Sequence, residues 1–316
     1  MVAVCLYNGA VLVREQPRPR RPDGFALIRL LCGGICNTDL ELQRGYYGFR
    51  GTPGHEFVGE VIAADNSNWI GQRVVGEINL ACGACEWCRR GWGRHCPRRS
   101  VLGIVKHPGA FREFLTLPEQ NLHRVPREIS TEEAVFVEPL AAACEILDQV
   151  RIPAGAPVAV LGDGKLGLLI VQVLKAYGAE VHQYGHHKDN LRIATALGID
   201  ARIGKATPKG LYDWVVDATG SSLGLAQAVK MTRPRGTVVM KSTVHGLVGI
   251  DSAPLIVNEI TLVGSRCGRF EPALKLLRTR GVRVDNLISE VLPLKKAPLA
   301  FRHAAQSGAM KVLLNA

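Results

Sequence analysis

The 316-residue chain contains no apolar run near 20 residues, no low-complexity tract and no internal repeat. The first absence excludes a membrane-spanning helix, and the other two exclude a disordered or solenoid architecture. The opening stretch MVAVCLYNGAVLVREQPRPRRPDG lacks the charged, apolar and small-residue segments of a secretory leader. A cytoplasmic protein without membrane attachment is therefore expected. Acidic residues are in short supply: 28 Asp and Glu face 39 Lys and Arg, for a net charge of +11. That bias favours anionic partners. The basic residues are dense only at 14–24 and 89–99, so the expectation is a solvated basic surface rather than a nucleic-acid interface. Nine cysteines, an odd number in a chain without a leader, argue against a disulfide framework and for metal ligands plus free thiols.

What is present is 47% hydrophobic, enough to core roughly two domains. Residues 1–135 read as short strands interrupted by Gly and Pro, such as ALIRLLCGGIC, HEFVGEVIAA, QRVVGEI and GAFREFLTL, the pattern of an irregular β domain. The texture changes at 130–150, where Ser130 or Thr131 can cap a helix. From Pro157 apolar strands alternate with helices: PVAVLG, KLGLLIVQVLKAYG, AEVHQYG, HHKDNLRIATALG, DWVVDATG. Such alternation predicts βαβ units around a buried parallel sheet, hence an α/β protein.

The stretch VLGDGKLG sets Gly162, Gly164 and Gly167 in a G-x-G-x-x-G directly after a strand and at the opening of a helix. A dinucleotide site needs this context: a tight turn, close backbone approach to a pyrophosphate, and a helix N-terminus facing the anion. Lys165 and Leu166 complete the turn. An NAD site usually places Asp or Glu at the end of the second strand, on the ribose 2′-hydroxyl. Here EVHQYGHHK ends that strand at Gly185, followed by His186, His187 and Lys188. With no carboxylate in the slot and three donors beside it, NADP is expected to be preferred over NAD.

Cys82, Cys85, Cys88 and Cys96 are spaced C-x2-C-x2-C-x7-C. Four soft thiolates on one loop suit a closed structural zinc site; an iron–sulfur cluster is the alternative. A nucleic-acid zinc ribbon normally carries two separated C-x-x-C knuckles, which this loop does not. A second set comes from separate segments: GICNTDLE supplies Cys36, Thr38 and Asp39, and GHE supplies His55 and Glu56. Cys, His and carboxylate suit a catalytic zinc with an open position.

Taken in order, GICNTDLE, PGHEFVGEV, the four-cysteine lobe, EPLAAA and VLGDGKLG resemble the zinc-containing medium-chain alcohol dehydrogenases, in particular the sorbitol and threonine dehydrogenase branch. The resemblance covers nearly the whole chain. It implies a GroES-like catalytic domain at 1–145 carrying both zincs, a doubly wound Rossmann domain at 146–266, and a segment at 267–316 returning to the catalytic domain. Cys36 and His55 match the first two catalytic zinc ligands. For the third, Glu56 and Glu138 are favoured over Cys144. Asp39 matches the carboxylate that orients the zinc-bound histidine, and Thr38 the hydroxyl that relays the substrate proton. Glu41 stands where relatives often carry the histidine that ends this relay. Thr219 and Ser242, ending later Rossmann strands, are expected to line the cofactor. The implied activity is zinc-dependent, NAD(P)-linked interconversion of a secondary alcohol or polyol and its carbonyl compound, in a homodimer or homotetramer. The alternatives are a zinc-binding, non-catalytic or redox-sensing homologue and a nucleic-acid-binding zinc protein.

Overall fold

The computed structural model describes residues 1–204, 208–244 and 247–316. These residues form two compact units.

The first unit comprises Met1–Glu138, Ala273–Arg278 and Leu287–Ala316. Its largest sheet runs, in order, Leu122–Arg124, Arg73–Gly76, Glu56–Ala63, Phe25–Gly34, Lys311–Asn315 and Ile288–Pro293, with Phe114–Pro118 also paired to Phe25–Gly34. The strand Phe25–Gly34 is its centre. Ala26, Ile28, Leu30, Val58, Val61, Val74, Leu115 and Leu117 are all essentially without solvent contact and form the core. Phe111 stacks edge-on to Phe301 with ring centroids 6.1 Å apart, packing the helix Ala297–Ala304 onto this core. Gly34 pairs with Glu56 on one side and with Leu313 on the other, so the chain's last strand lies beside GHE through the central strand.

The second unit comprises Pro139–Pro272 and Thr279–Asn286. Its sheet is parallel in every pairing and six-stranded: Asp200–Ile203, Glu180–Gly185, Pro157–Leu161, Tyr212–Asp217, Thr232–Met240 and Thr261–Gly264. In chain order this is 3-2-1-4-5-6, the Rossmann arrangement, whose ligand crevice opens between the first and fourth strands. Val158, Val160, Val215, Val216, Val238 and Val239 are fully buried, which explains the strands' continuous apolar sequences. The helix Lys165–Ala176 buries eight consecutive residues, Gly167 to Leu174. The strand Asp200–Ile203 is not anticipated by the sequence pattern.

No helix among the described residues is long and apolar enough to cross a membrane.

Candidate active site

The first unit gathers Cys36, His55 and Glu56 so that one ligand atom from each lies within 4.8 Å of the others. Local structure explains how. Cys36 is the N-cap of the helix Asn37–Gln43, and Asp39 at its third position closes a capping box, with Oδ2 accepting from the Cys36 N–H at 2.8 Å. The other oxygen, Oδ1, accepts from the Gly54 N–H at 3.0 Å and faces His55 Nδ1 at 3.5 Å. Asp39, fully buried, thus joins the Cys36 loop to the His55 loop. His55 Nδ1 is buried and makes no hydrogen bond among the described residues. Nε2, on the opposite side of the ring, is the nitrogen left for a metal. Thr38 lies beside the thiol, its Oγ1 3.8 Å from Cys36 Sγ. Glu41 instead pairs with Arg44 at 2.6 Å on the exposed side of the helix.

Sequence reasoning missed one member of this cluster. Lys311, 2% exposed, makes an ion pair with Oε2 of Glu56, itself 1% exposed. Gly34 makes room for it: a Cβ there would lie 2.8 Å from Glu56 Oε2 and 2.7 Å from Val135 Cγ1. Nothing in the local sequence MKVLLNA marks the lysine, because its partner is 255 positions away. Burial works against charge on Lys311, but Glu56 and Cys36, with Glu138, hold its ammonium above the ordinary lysine range. Burial likewise works against protonated His55, and Asp39 and Cys36 outweigh it, raising His55 well above the usual imidazole value.

This charge balance bears on whether a metal fits. Glu56 and Asp39 are buried carboxylates, Lys311 pairs with Glu56, and a cation held by Cys36, His55 and Glu56 would offset carboxylate charge that Lys311 alone does not. Cys, His and carboxylate are zinc donors. Glu138 falls outside the Cys36–His55–Glu56 group. Cys144 belongs to the second unit, where burial pushes its thiol up to about 12.

The four-cysteine lobe also converges within 4.8 Å. Cys82–Cys88, Cys85–Cys88 and Cys85–Cys96 sulfurs are 3.9, 3.4 and 3.7 Å apart. These are far beyond a disulfide bond. A tetrahedron with Zn–S bonds of about 2.3 Å has edges of about 3.8 Å, so the spacing suits one zinc. Backbone N–H groups of Ala84 and Cys85 pull the Cys82 thiol down to about 6, favouring the ligating thiolate. Arginines around the lobe are engaged locally: Arg90 pairs with Glu86 at 2.6 Å and Arg89 donates to the Ala84 carbonyl at 2.6 Å.

In the second unit the three glycines meet the demands of a dinucleotide turn. Gly162 has φ +110°, and a Cβ on it would lie 2.5 Å from the Ala218 carbonyl oxygen at the start of the crevice. A Cβ on Gly164 would meet nothing within 4 Å, leaving the backbone open to a pyrophosphate, while one on Gly167 would strike the Gly162 carbonyl at 2.3 Å. Gly164 is the N-cap of the helix, with Lys165 and Leu166 in its first turn. Thr219 and Ser242 are brought together at the carboxyl ends of neighbouring strands, where both donate to Asp217 Oδ1, at 2.7 and 3.2 Å. A Cβ on Gly185 would lie 2.5 Å from Asp163. The N–H groups of His186 and His187 donate to its carboxylate. Lys188 is exposed at the start of the next helix.

Comparison with known proteins agrees with both units. Residues 22–127 match the alcohol dehydrogenase GroES-like domain, and residues 166–279 the zinc-binding dehydrogenase family. The chain is 30% identical over 331 aligned residues to a sorbitol dehydrogenase of Halalkalibacterium halodurans, covering 97% of this chain and 96% of that one. It is 30% identical to a D-altritol 5-dehydrogenase of Agrobacterium fabrum, with 96% of each covered. A zinc-binding-dehydrogenase-like chain from Sinorhizobium meliloti 1021, solved bound to NADP, shares the fold with a TM-score of 0.90 at 28% identity, covering 100% of this chain and 99% of that one. The class is therefore a zinc-binding dehydrogenase built from a GroES-like and a Rossmann domain. Within that class, the chain belongs to the zinc-dependent medium-chain alcohol dehydrogenases, and its activity is that of an NAD(P)-linked alcohol dehydrogenase.

Proposed function

We propose that the protein oxidises a secondary hydroxyl of a polyol to the ketone, and reduces the ketone in reverse, with Cys36, His55 and Glu56 holding the catalytic zinc. The observation that carries this reading is the convergence of those three ligand atoms within 4.8 Å of one another. With Oε2 of Glu56 given to Lys311, Oε1 is the oxygen free for the metal. When bound, zinc here would supply a Lewis acid that favours the deprotonated alcohol, and a nicotinamide would supply the hydride acceptor or donor. The chain's own residues do the rest. Asp39 holds His55 in the tautomer that presents Nε2. Thr38 Oγ1, adjacent to the thiolate, takes the hydroxyl proton and passes it toward water. Glu41, engaged with Arg44, leaves water as the outer end of that relay. Cys82, Cys85, Cys88 and Cys96 bind a second zinc that staples the lobe.

The polyol assignment rests on the relatives, whose names give sorbitol and D-altritol as their substrates. A cytoplasmic homodimer or homotetramer completes the proposal. The test is a screen of sugar alcohols and simple secondary alcohols with zinc-loaded protein, following nicotinamide absorbance with NAD and with NADP. Oxidation of polyols in preference to primary alcohols is expected. Dinucleotide binding without oxidation of any alcohol would overturn it.

A further inference from the structure

The second strand of the Rossmann sheet ends without an acid, yet an acid stands at its end. Asp163 lies in the glycine turn, between Gly162 and Gly164, and is 5% exposed. Its carboxylate reaches across to the second strand. Oδ2 accepts from the N–H of His186 at 2.8 Å and of His187 at 2.5 Å, while Oδ1 lies 3.1 Å from Nδ1 of the half-exposed His187 ring. A Cβ built on Gly185 would fall 2.5 Å from Cβ, Cγ and Oδ2 of Asp163. The carboxylate therefore occupies the volume in which a side chain of residue 185 would begin.

From this geometry we infer that Asp163, supplied by the loop instead of the strand, is the residue that sets dinucleotide choice, and that it selects NAD(H) over NADP(H). The inference rests on the dinucleotide site of the proposed dehydrogenase. In this fold a carboxylate at the end of the second strand accepts a ribose 2′-hydroxyl and repels a 2′-phosphate. A phosphate entering at this strand end would find both backbone donors taken and a like charge behind them. The cations nearby do not reverse this. Lys188 and His186 are exposed, so solvent and salt screen them. His187 directs its ring nitrogen at Asp163 itself. A buried carboxylate is screened far less than these surface charges.

A competing role for Asp163 is purely structural, as an acceptor that fixes the His186–His187 turn before the helix Lys188–Ala196. Binding measurements separate the two. Full-length, zinc-loaded protein is titrated with NADH and with NADPH by nicotinamide fluorescence. NADH is expected to bind at least about tenfold more tightly, the factor that one opposed polar contact carries. Asp163→Asn keeps the shape and an amide-accepting oxygen but removes the charge, and should cut the ratio about tenfold, mainly by strengthening NADPH. Asp163→Gly should lose the preference, and Asp163→Gly combined with Gly185→Asp, which moves the carboxylate onto the strand, should restore it. Wild-type competition by ADP-ribose against its 2′-phosphate gives the same answer without any variant. Tighter NADPH binding by wild type, or an unchanged ratio in folded Asp163→Asn, would overturn the assignment. Failure to bind either dinucleotide would overturn the site and the assignment together. Tight NADH binding without alcohol turnover would count against the proposed reaction while supporting Asp163.

Discussion

Replacing Lys311 by Met removes one partner of an ion pair whose two side chains are 2% and 1% exposed. The stem volume is kept, so packing against Gly34 changes little and the lost charge dominates. Glu56 is then left buried without a counter-ion in the metal-free protein. Breaking a buried pair in this way costs about 3–5 kcal/mol. At roughly 2–4 °C per kcal/mol for a domain of this size, the metal-free variant should melt about 6–20 °C lower. Lys311→Met with Glu56→Gln removes both charges and should recover most of that loss, because no ion remains buried alone. The assay is thermal unfolding after chelation, read by tryptophan fluorescence; three of the four tryptophans, Trp69, Trp87 and Trp92, lie in the first unit. Added zinc should narrow the gap between Lys311→Met and wild type, since the metal supplies positive charge beside Glu56. A loss below about 1 kcal/mol, the size of an exposed pair, would mean that Lys311 is not the buried counter-ion of Glu56. So would a double variant no more stable than the single one.

Three other outcomes are expected from the same structure. Cys82→Ser with Cys85→Ser should reduce bound zinc from two to one per chain and lower the melting temperature, while any folded protein keeps its turnover; metal analysis beside activity checks this. Gly34→Ala should cost about 1–3 kcal/mol, the usual penalty of overpacking, because its Cβ falls within 3 Å of Val135 and of the Glu56 carboxylate; urea unfolding and zinc affinity should both report the loss. His107 is half-buried, donates through its ring to the Thr116 carbonyl at 3.0 Å, and is held below the ordinary imidazole range by partial burial. Its contribution to stability is intact above about pH 6.5 and is lost as pH falls through the lower folded value, so His107→Gln should flatten stability between pH 7 and 5.

The fold class is readable in the sequence because its signal is local and repeated. Continuous apolar strands such as PVAVL alternate with helices, and the glycine turn sits where the first strand ends. The strand Asp200–Ile203 is hidden because its four residues, DARI, are mostly exposed and carry no apolar run. The Cys36 and His55 pairing is legible through two short motifs, GICNTD and GHE, whose residues the capping box and the Gly54 loop bring together. Lys311 is not legible, since only sheet register carries the C-terminal strand to Glu56. Asp163 does carry a signal. An acid inside G-D-G, opposite a strand ending in glycine, is a carboxylate moved by one turn, and counting only the strand's own residues conceals it. Thr219 and Ser242 are recognisable as strand-end hydroxyls, but their mutual attachment to Asp217 depends on two neighbouring strands and cannot be seen from either alone.

In the proposed reaction Cys36, His55 and Glu56 would hold the zinc that activates the substrate hydroxyl, and hydride would leave to the nicotinamide. His55→Ala tests it most directly, with zinc content, dinucleotide binding and polyol turnover measured on one preparation. Loss of one zinc per chain is expected, with a fall in turnover of at least about a thousandfold, the scale of removing the Lewis acid, and dinucleotide affinity unchanged. Turnover retained in a variant that has lost that zinc would contradict it.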